Sequence, residues 1–147
     1  MAAQSHQVHP EVVQRLNKAE AALHDGVLMK QGSILKNWKE RHFVLYSSGQ
    51  LRYFKQRGHN RRVLRGSIDL HQCTGMTQGR QHTAPPNGWP PHVPDLACLA
   101  IHAPRRTYYF YATNRAEMDV WLAHLDPFVR RIRHAQPEYQ NLNADLP

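Results

Sequence analysis

Lys30 to Leu45 reads KQGSILKNWKERHFVL, and the fold follows from it. Arg41–Tyr46 alternates in the two-residue rhythm of a strand, and Gly26–Lys30 reads as the strand before it. Between Lys30 and Lys39 lies an eight-residue connection that begins Gln31-Gly32. Lys30, Lys36, Lys39 and Arg41 crowd around it. A hairpin with basic residues at both strand ends gathers them at the mouth of its loop, forming a cationic cup.

Such a cup suits a compact polyphosphorylated headgroup better than a long polymer, because donors must converge on a small ring from several directions. Lys30 stands on one wall, and Lys39 and Arg41 on the other. Arginine grips a phosphate with a planar fork, whereas lysine supplies a point charge. Backbone N–H groups of Gln31, Gly32 and Ser33 are expected to add an anion nest, with the glycine permitting the turn.

Composition points the same way. The 147 residues make one domain with a formal charge of +8, which favours acidic partners. Lys30 to Arg65 holds ten Lys or Arg against one acid, Glu40, so the remainder nearly cancels. Concentration of that kind implies one basic face. Cys73 and Cys98 read as small buried residues on neighbouring strands, and the eleven histidines show no metal-ligand spacing. No signal-peptide pattern and no apolar run near the ~20 residues of a membrane span appear, so a cytoplasmic setting with reduced thiols is expected. No metal and no cofactor is expected.

Residues 10 to 24 read as an amphipathic helix, with Pro10 at its start, Val12, Val13, Leu16, Ala19 and Leu23 on one stripe, and Asp25-Gly26 as its stop. Strands follow at Gln50–Phe54, Val63–Leu70, His71–Met76, Ala97–His102 and Thr107–Ala112, with Ser48-Gly49 as a tight turn. Gln78 to Asp95 carries five prolines and reads as a long irregular loop. Asn114 and Glu117 form a capping-box pattern ahead of the stripe Met118, Trp121, Leu122 and Leu125. Asp126-Pro127 is expected to kink that helix or start a second one. The division is thus an N-terminal helical extension (1–25), a β-rich domain (26–135) and a flexible tail (136–147).

Seven strands and one closing helix resemble the pleckstrin homology (PH) fold, in which two near-orthogonal antiparallel sheets form a bent barrel plugged by the helix. Lys30 with Lys39-x-Arg41-x-Phe43-x-Leu45 is similar to the signature of PH domains that recognise 3-phosphorylated inositol lipids. Arg65-Gly66-Ser67-Ile68-Asp69-Leu70 resembles the family's fourth strand, Arg106–Ala112 its seventh, and Trp121 its helix tryptophan. The resemblance implies that Tyr53 and Arg65 join Lys30, Lys39 and Arg41 on the phosphates. It also implies recruitment to phosphoinositide-bearing membranes, at the plasma membrane or endosomes. His42 departs from the aromatic that such binders carry after the arginine. QGSILKNWK and Pro85-Pro86-Asn87-Gly88 are similar to the evectins, which use the same pocket for phosphatidylserine, although Arg41 is absent from them.

Beyond the cup, Ile34 and Leu35 can insert into a bilayer while Lys36 and Trp38 sit among the headgroups. The alternative for Trp38 is packing against the sheet. Anionic-membrane attraction without headgroup selectivity, and protein contacts alone, remain competing readings for the basic face. Tyr108 to Tyr111 alternate between faces and offer no stacking platform, so nucleic acid is not an expected partner. No nucleophile–base pair, phosphate loop or H-E-x-x-H motif is present, which argues against an enzyme. Glu138-Tyr139-Gln140-Asn141 resembles a phosphotyrosine motif read by adaptor SH2 domains, and this tail or the N-terminal helix could hold protein partners.

Overall fold

The structure is a computed structural model that describes residues 20–133. Four strands form a meander: β1 (Ala22–Gln31), β2 (Trp38–Tyr46), β3 (Gln50–Arg57) and β4 (Arg61–Asp69). Three more follow, β5 (Gly75–Gln78), β6 (Cys98–His102) and β7 (Thr107–Tyr111), and helix α1 (Arg115–Leu125) closes the domain. The antiparallel sheet runs β4-β3-β2-β1-β7-β6-β5. Its halves join through two residue pairs, Met29 with Tyr111 and Lys30 with Phe110.

One face of this sheet curls around the core. Leu28, Phe43, Leu45, Leu51, Ile68, Leu99, Ile101 and Phe110 are buried, and Phe43 meets Phe110 edge-on at 5.3 Å across the two halves. Helix α1 plugs the enclosed end with Met118, Trp121, Leu122 and Leu125. Asn114 caps it, its side-chain oxygen accepting from the Glu117 N–H at 2.9 Å. No helix among the described residues is long and apolar enough to cross a membrane.

Several expectations change. Residues 1–19 and the tail with Tyr139 lie outside the described residues. From Ala22 the chain is already strand, not helix, because β2 extends to Tyr46 and offers Ala22 and His24 backbone partners. Asp25 therefore does not stop a helix; it pairs with His42 at 2.8 Å across β1 and β2. The β1–β2 connection shortens to residues 32–37, since β2 begins at Trp38 rather than Arg41. Leu70–Gln72 forms a 3-10 turn held by the Asp69 carboxylate, which delays the fifth strand to Gly75. Cys98 is fully buried on β6, whereas Cys73 is half-buried and lies just before β5, not on a strand.

After α1 there is no second helix among the described residues. Pro127 ends the helical run, and the chain straightens beside β5: Met76 N–H donates to Arg130 at 2.9 Å and Ile132 N–H to Met76 at 2.7 Å. The proline-rich loop is irregular, as expected, and it packs against the sheet. Trp89 and Val93 from that loop build a second apolar cluster with Ala97, Cys98 and Tyr111, on the sheet face opposite the main core. Trp121 anchors the main core. Trp121→Ala should cost about 3–5 kcal/mol, a loss that urea unfolding would register as a large drop in midpoint.

Candidate functional site

Strand alternation carries the core directly into a charged mouth. On β2, Leu45 and Phe43 point inward, so Arg41 and Lys39 occupy the same face beyond them. Leu28 leads to Lys30 on β1, and Leu51 to Tyr53 on β3. The register sets Lys30 opposite Lys39 and Phe43 opposite Tyr53. Arg65 joins them by another route. Tyr53 pairs with Gly66 and Phe54 with Leu64, so Arg65 is the extra residue of a β-bulge, a device that re-aims a side chain.

Lys30, Lys39, Arg41, Tyr53 and Arg65 thus line one cavity of about 130 Å³, together with Gly32 and Ser33 of the loop. Gly66 has a steric reason to be glycine. A Cβ there would collide with the Tyr53 ring, so its absence lets Tyr53 lie across β4. The Lys30 ammonium sits 4.8 Å from the Tyr53 ring centre and 5.9 Å from that of Tyr108, and donates to the Gln31 carbonyl at 3.1 Å. Burial raises the Tyr53 phenol above its usual range, which keeps it a neutral hydrogen-bond donor.

The remaining sequence candidates divide. Ile34 and Leu35 project from the loop tip, 90% and 66% exposed. Lys36 is exposed and donates to the Ser33 carbonyl at 2.6 Å, which ties the loop back on itself. Trp38 does not sit in the loop. It opens β2, stacks on Trp89 at 5.3 Å and meets Tyr111 edge-on at 5.0 Å, so its ring is packing for the second cluster. His42 points away from the cup towards Asp25.

Arg106 and Tyr108 were not singled out as site residues by the sequence. Arg106 lies just before β7, its guanidinium 4.1 Å from the Tyr108 ring centre, and it supplies the strongest charge repulsion felt by Lys30. The available signal was register: Lys30 pairs with Phe110, so alternation puts Tyr108 beside the same mouth.

Lys30 records the strain of this arrangement. Burial first, then Arg106, Arg41, Lys39 and Lys36, push its ammonium down from 10.5 to about 8. The folded state therefore disfavours the charged form. Between about pH 8 and the ordinary lysine range the unfolded chain binds more protons, so stability rises with pH across that window. The full penalty stands below it. Lys30→Met should stabilise the ligand-free chain at pH 7 by on the order of 1 kcal/mol, after discounting for solvent screening, and much less above pH 10. Denaturant titrations at both pH values measure this; equal stability of the two proteins at pH 7 would refute the stored repulsion.

A family model described as PH domain matches residues 22–130. The human "Dual adapter for phosphotyrosine and 3-phosphotyrosine and 3-phosphoinositide" is 28% identical over 98 residues, covering 67% of this chain and 30% of that protein. This chain spans about a third or less of the curated relatives it matches. Among solved structures, the C-terminal PH domain of pleckstrin in complex with D-myo-Ins(1,2,3,4,5)P5 is similar with a TM-score of 0.53 and 23% identity, covering 75% of this chain and 100% of that one. The Slm1 PH domain in complex with phosphoserine gives 0.52 and 23%, covering 73% and 92%. At these identities the structural likeness is one of fold. With sheet order, closing helix and family model in agreement, the chain belongs to the PH domain family.

Proposed function

We propose that this chain is a membrane-recruitment module that binds phosphoinositide headgroups in the cup between β1 and β2, with preference for 3-phosphorylated inositol. The observation that carries this reading is the convergence of Lys30, Lys39, Arg41, Arg65 and Tyr53 on one cavity whose lining contains no carboxylate. Four cations around a small opening match several phosphates on a rigid ring, and charge-assisted bonds are the strong ones. A bound phosphate also relieves the repulsion that depresses Lys30. The human relative is named for 3-phosphoinositide, and the pleckstrin domain is described with an inositol pentakisphosphate; both support the reading.

Ile34 and Leu35 stand beyond the cup as an apolar tip, with Lys36 next to them. A headgroup in the cup brings this tip to the acyl boundary, where apolar burial adds to the electrostatic attraction. The setting is the cytoplasmic surface of the plasma membrane or of endosomes. Phosphatidylserine is the second reading for this cup, and the phosphoserine complex of the Slm1 domain supports considering it.

A vesicle panel at fixed net charge decides between them, with each phosphoinositide compared against phosphatidylserine. Arg41→Glu should abolish phosphoinositide-dependent pelleting while leaving the melting temperature within a few degrees. Wild-type pelleting by that variant would sink the cup assignment. Replacing Ile34 and Leu35 by Ser should weaken vesicle binding about tenfold or more yet leave affinity for soluble inositol tetrakisphosphate unchanged. Loss of both affinities would count against an inserting tip.

A further inference from the structure

Strand β1 has an incomplete neighbour on one side. It pairs with β2 from Ala22 to Gln31, but with β7 at Met29 and Lys30 alone among the described residues. From Asp25 to Val27 one side of its backbone therefore has no described strand beside it. Helix α1 stands across this gap, and two cavities open along it. One, of about 340 Å³, lies between Asp25 and Val27 of the strand and Glu117, Val120 and Trp121 of the helix. The other, of about 290 Å³, lies between Val27, Met29 and Glu40 on the sheet and Val93 and Pro94 of the proline-rich loop. Val27 and Thr113 line both, so the two form one groove.

The groove is apolar and acidic on a chain of the opposite sign. Val27 and Val120 are 50% and 48% exposed, although each is followed in sequence by a core residue, Leu28 and Trp121. Asp25, Glu40 and Glu117 line the groove and no Lys or Arg does, within a chain of formal charge +8. The Asp25 carboxylate is bonded to His42 at 2.8 Å yet stays 60% exposed, so it keeps accepting capacity. Strand β4, by contrast, carries Arg61, Arg62 and Arg65. An extended segment in the groove meets three complements at once: a strand backbone open on one side, valine side chains and carboxylates. Strand addition draws affinity from main-chain bonds and selectivity from the side-chain pockets beside them.

The geometry points to a protein-docking groove that takes a basic, extended peptide segment of another protein, added as a strand beside Asp25 to Val27 and facing α1. The carboxylates set the sign of the partner, and the valines call for small apolar side chains between its basic residues. Asp25 to Met29 spans about 13 Å at ~3.3 Å per residue, room for four or five residues of the partner. Val27, Met29 and Glu40 alternate with Leu28, Lys30 and Arg41, so groove and cup open on opposite faces of the sheet. A peptide and a headgroup therefore do not compete, and the groove stands independently of what the cup binds.

Three soluble peptides test this, each with the centre Thr-Val-Thr-Val-Thr flanked on both sides by two Lys, two Ser or two Glu. Amide chemical shifts of the whole chain read the binding. The Lys-flanked peptide should shift Gly26, Val27, Thr113 and Val120, and bind about tenfold tighter than the Ser-flanked one at low salt. The Glu-flanked peptide should leave those residues unmoved. Glu40 and Glu117 are exposed, so Glu40→Gln with Glu117→Gln keeps the fold. That double variant should weaken the Lys-flanked peptide about tenfold and leave the Ser-flanked one unchanged. N-methylation of alternate peptide residues separates a strand from any other bound form, because only every second N–H of an added strand faces β1. Methylation in one register should abolish binding, and methylation in the other should preserve it. Equal affinity of the three peptides, or equal loss from both registers, would overturn the strand-docking groove. So would shifts confined to Arg61, Arg62 and Arg65, which would place the peptide on β4. Shifts at Val27 and Val120 that grow with protein concentration alone would assign the groove to a second copy of this chain. Methyl contacts from Val12 or Leu16 to Val120 in the peptide-free protein would assign it to residues 1–19; either result would overturn a foreign partner.

Discussion

Strand alternation is the constraint from which the rest follows. A β-strand that buries Phe43 and Leu45 must present Arg41 and Lys39 on the same face once it passes beyond the core. The same holds for Leu28 and Lys30, and for Leu51 and Tyr53. Packing and charge are therefore not independent features of this domain. The register that closes the hydrophobic core also fixes which cations share the mouth, and a slip by one residue would send every one of them to the outer face.

The opposite face is organised by the same rule. Met29 and Trp38 meet the proline-rich loop through Trp89, Val93 and Tyr111, so the sheet is covered on both sides next to the site. That cover holds the loop wall at Pro86 and leaves the tip, Ile34 and Leu35, as the exposed apolar part of the connection. Repulsion among the cations around Lys30 is tolerated because a well-packed core below supplies the stability that Lys30 subtracts.

Much of this was legible in the sequence, for physical reasons. Lys30, Lys39 and Arg41 follow from spacing alone, because alternation leaves them no other face. Tyr53 and Arg65 needed the resemblance, since Arg65 reaches the mouth through a bulge that no periodicity announces. Arg106 escaped because it precedes β7, whose register against β1 is a tertiary matter. The helix expected through residue 24 failed where strand pairing overrode local periodicity at Ala22 and Leu23. Trp38 carried no signal that distinguished a bilayer from Trp89, a partner fifty-one residues away in a loop read as irregular.

The two edges of the sheet are treated differently. Beside β5, residues 130–132 bond to Met76, so another chain finds that backbone already occupied. At β4 the guard is electrostatic: Arg61, Arg62 and the bulged Arg65 discourage a like-charged strand from pairing. Arg65 therefore stands in two roles at once, as gatekeeper of an open edge and as one wall of the cup. The same guanidinium therefore serves the electrostatics of the cup and, with Arg61 and Arg62, those of the sheet edge.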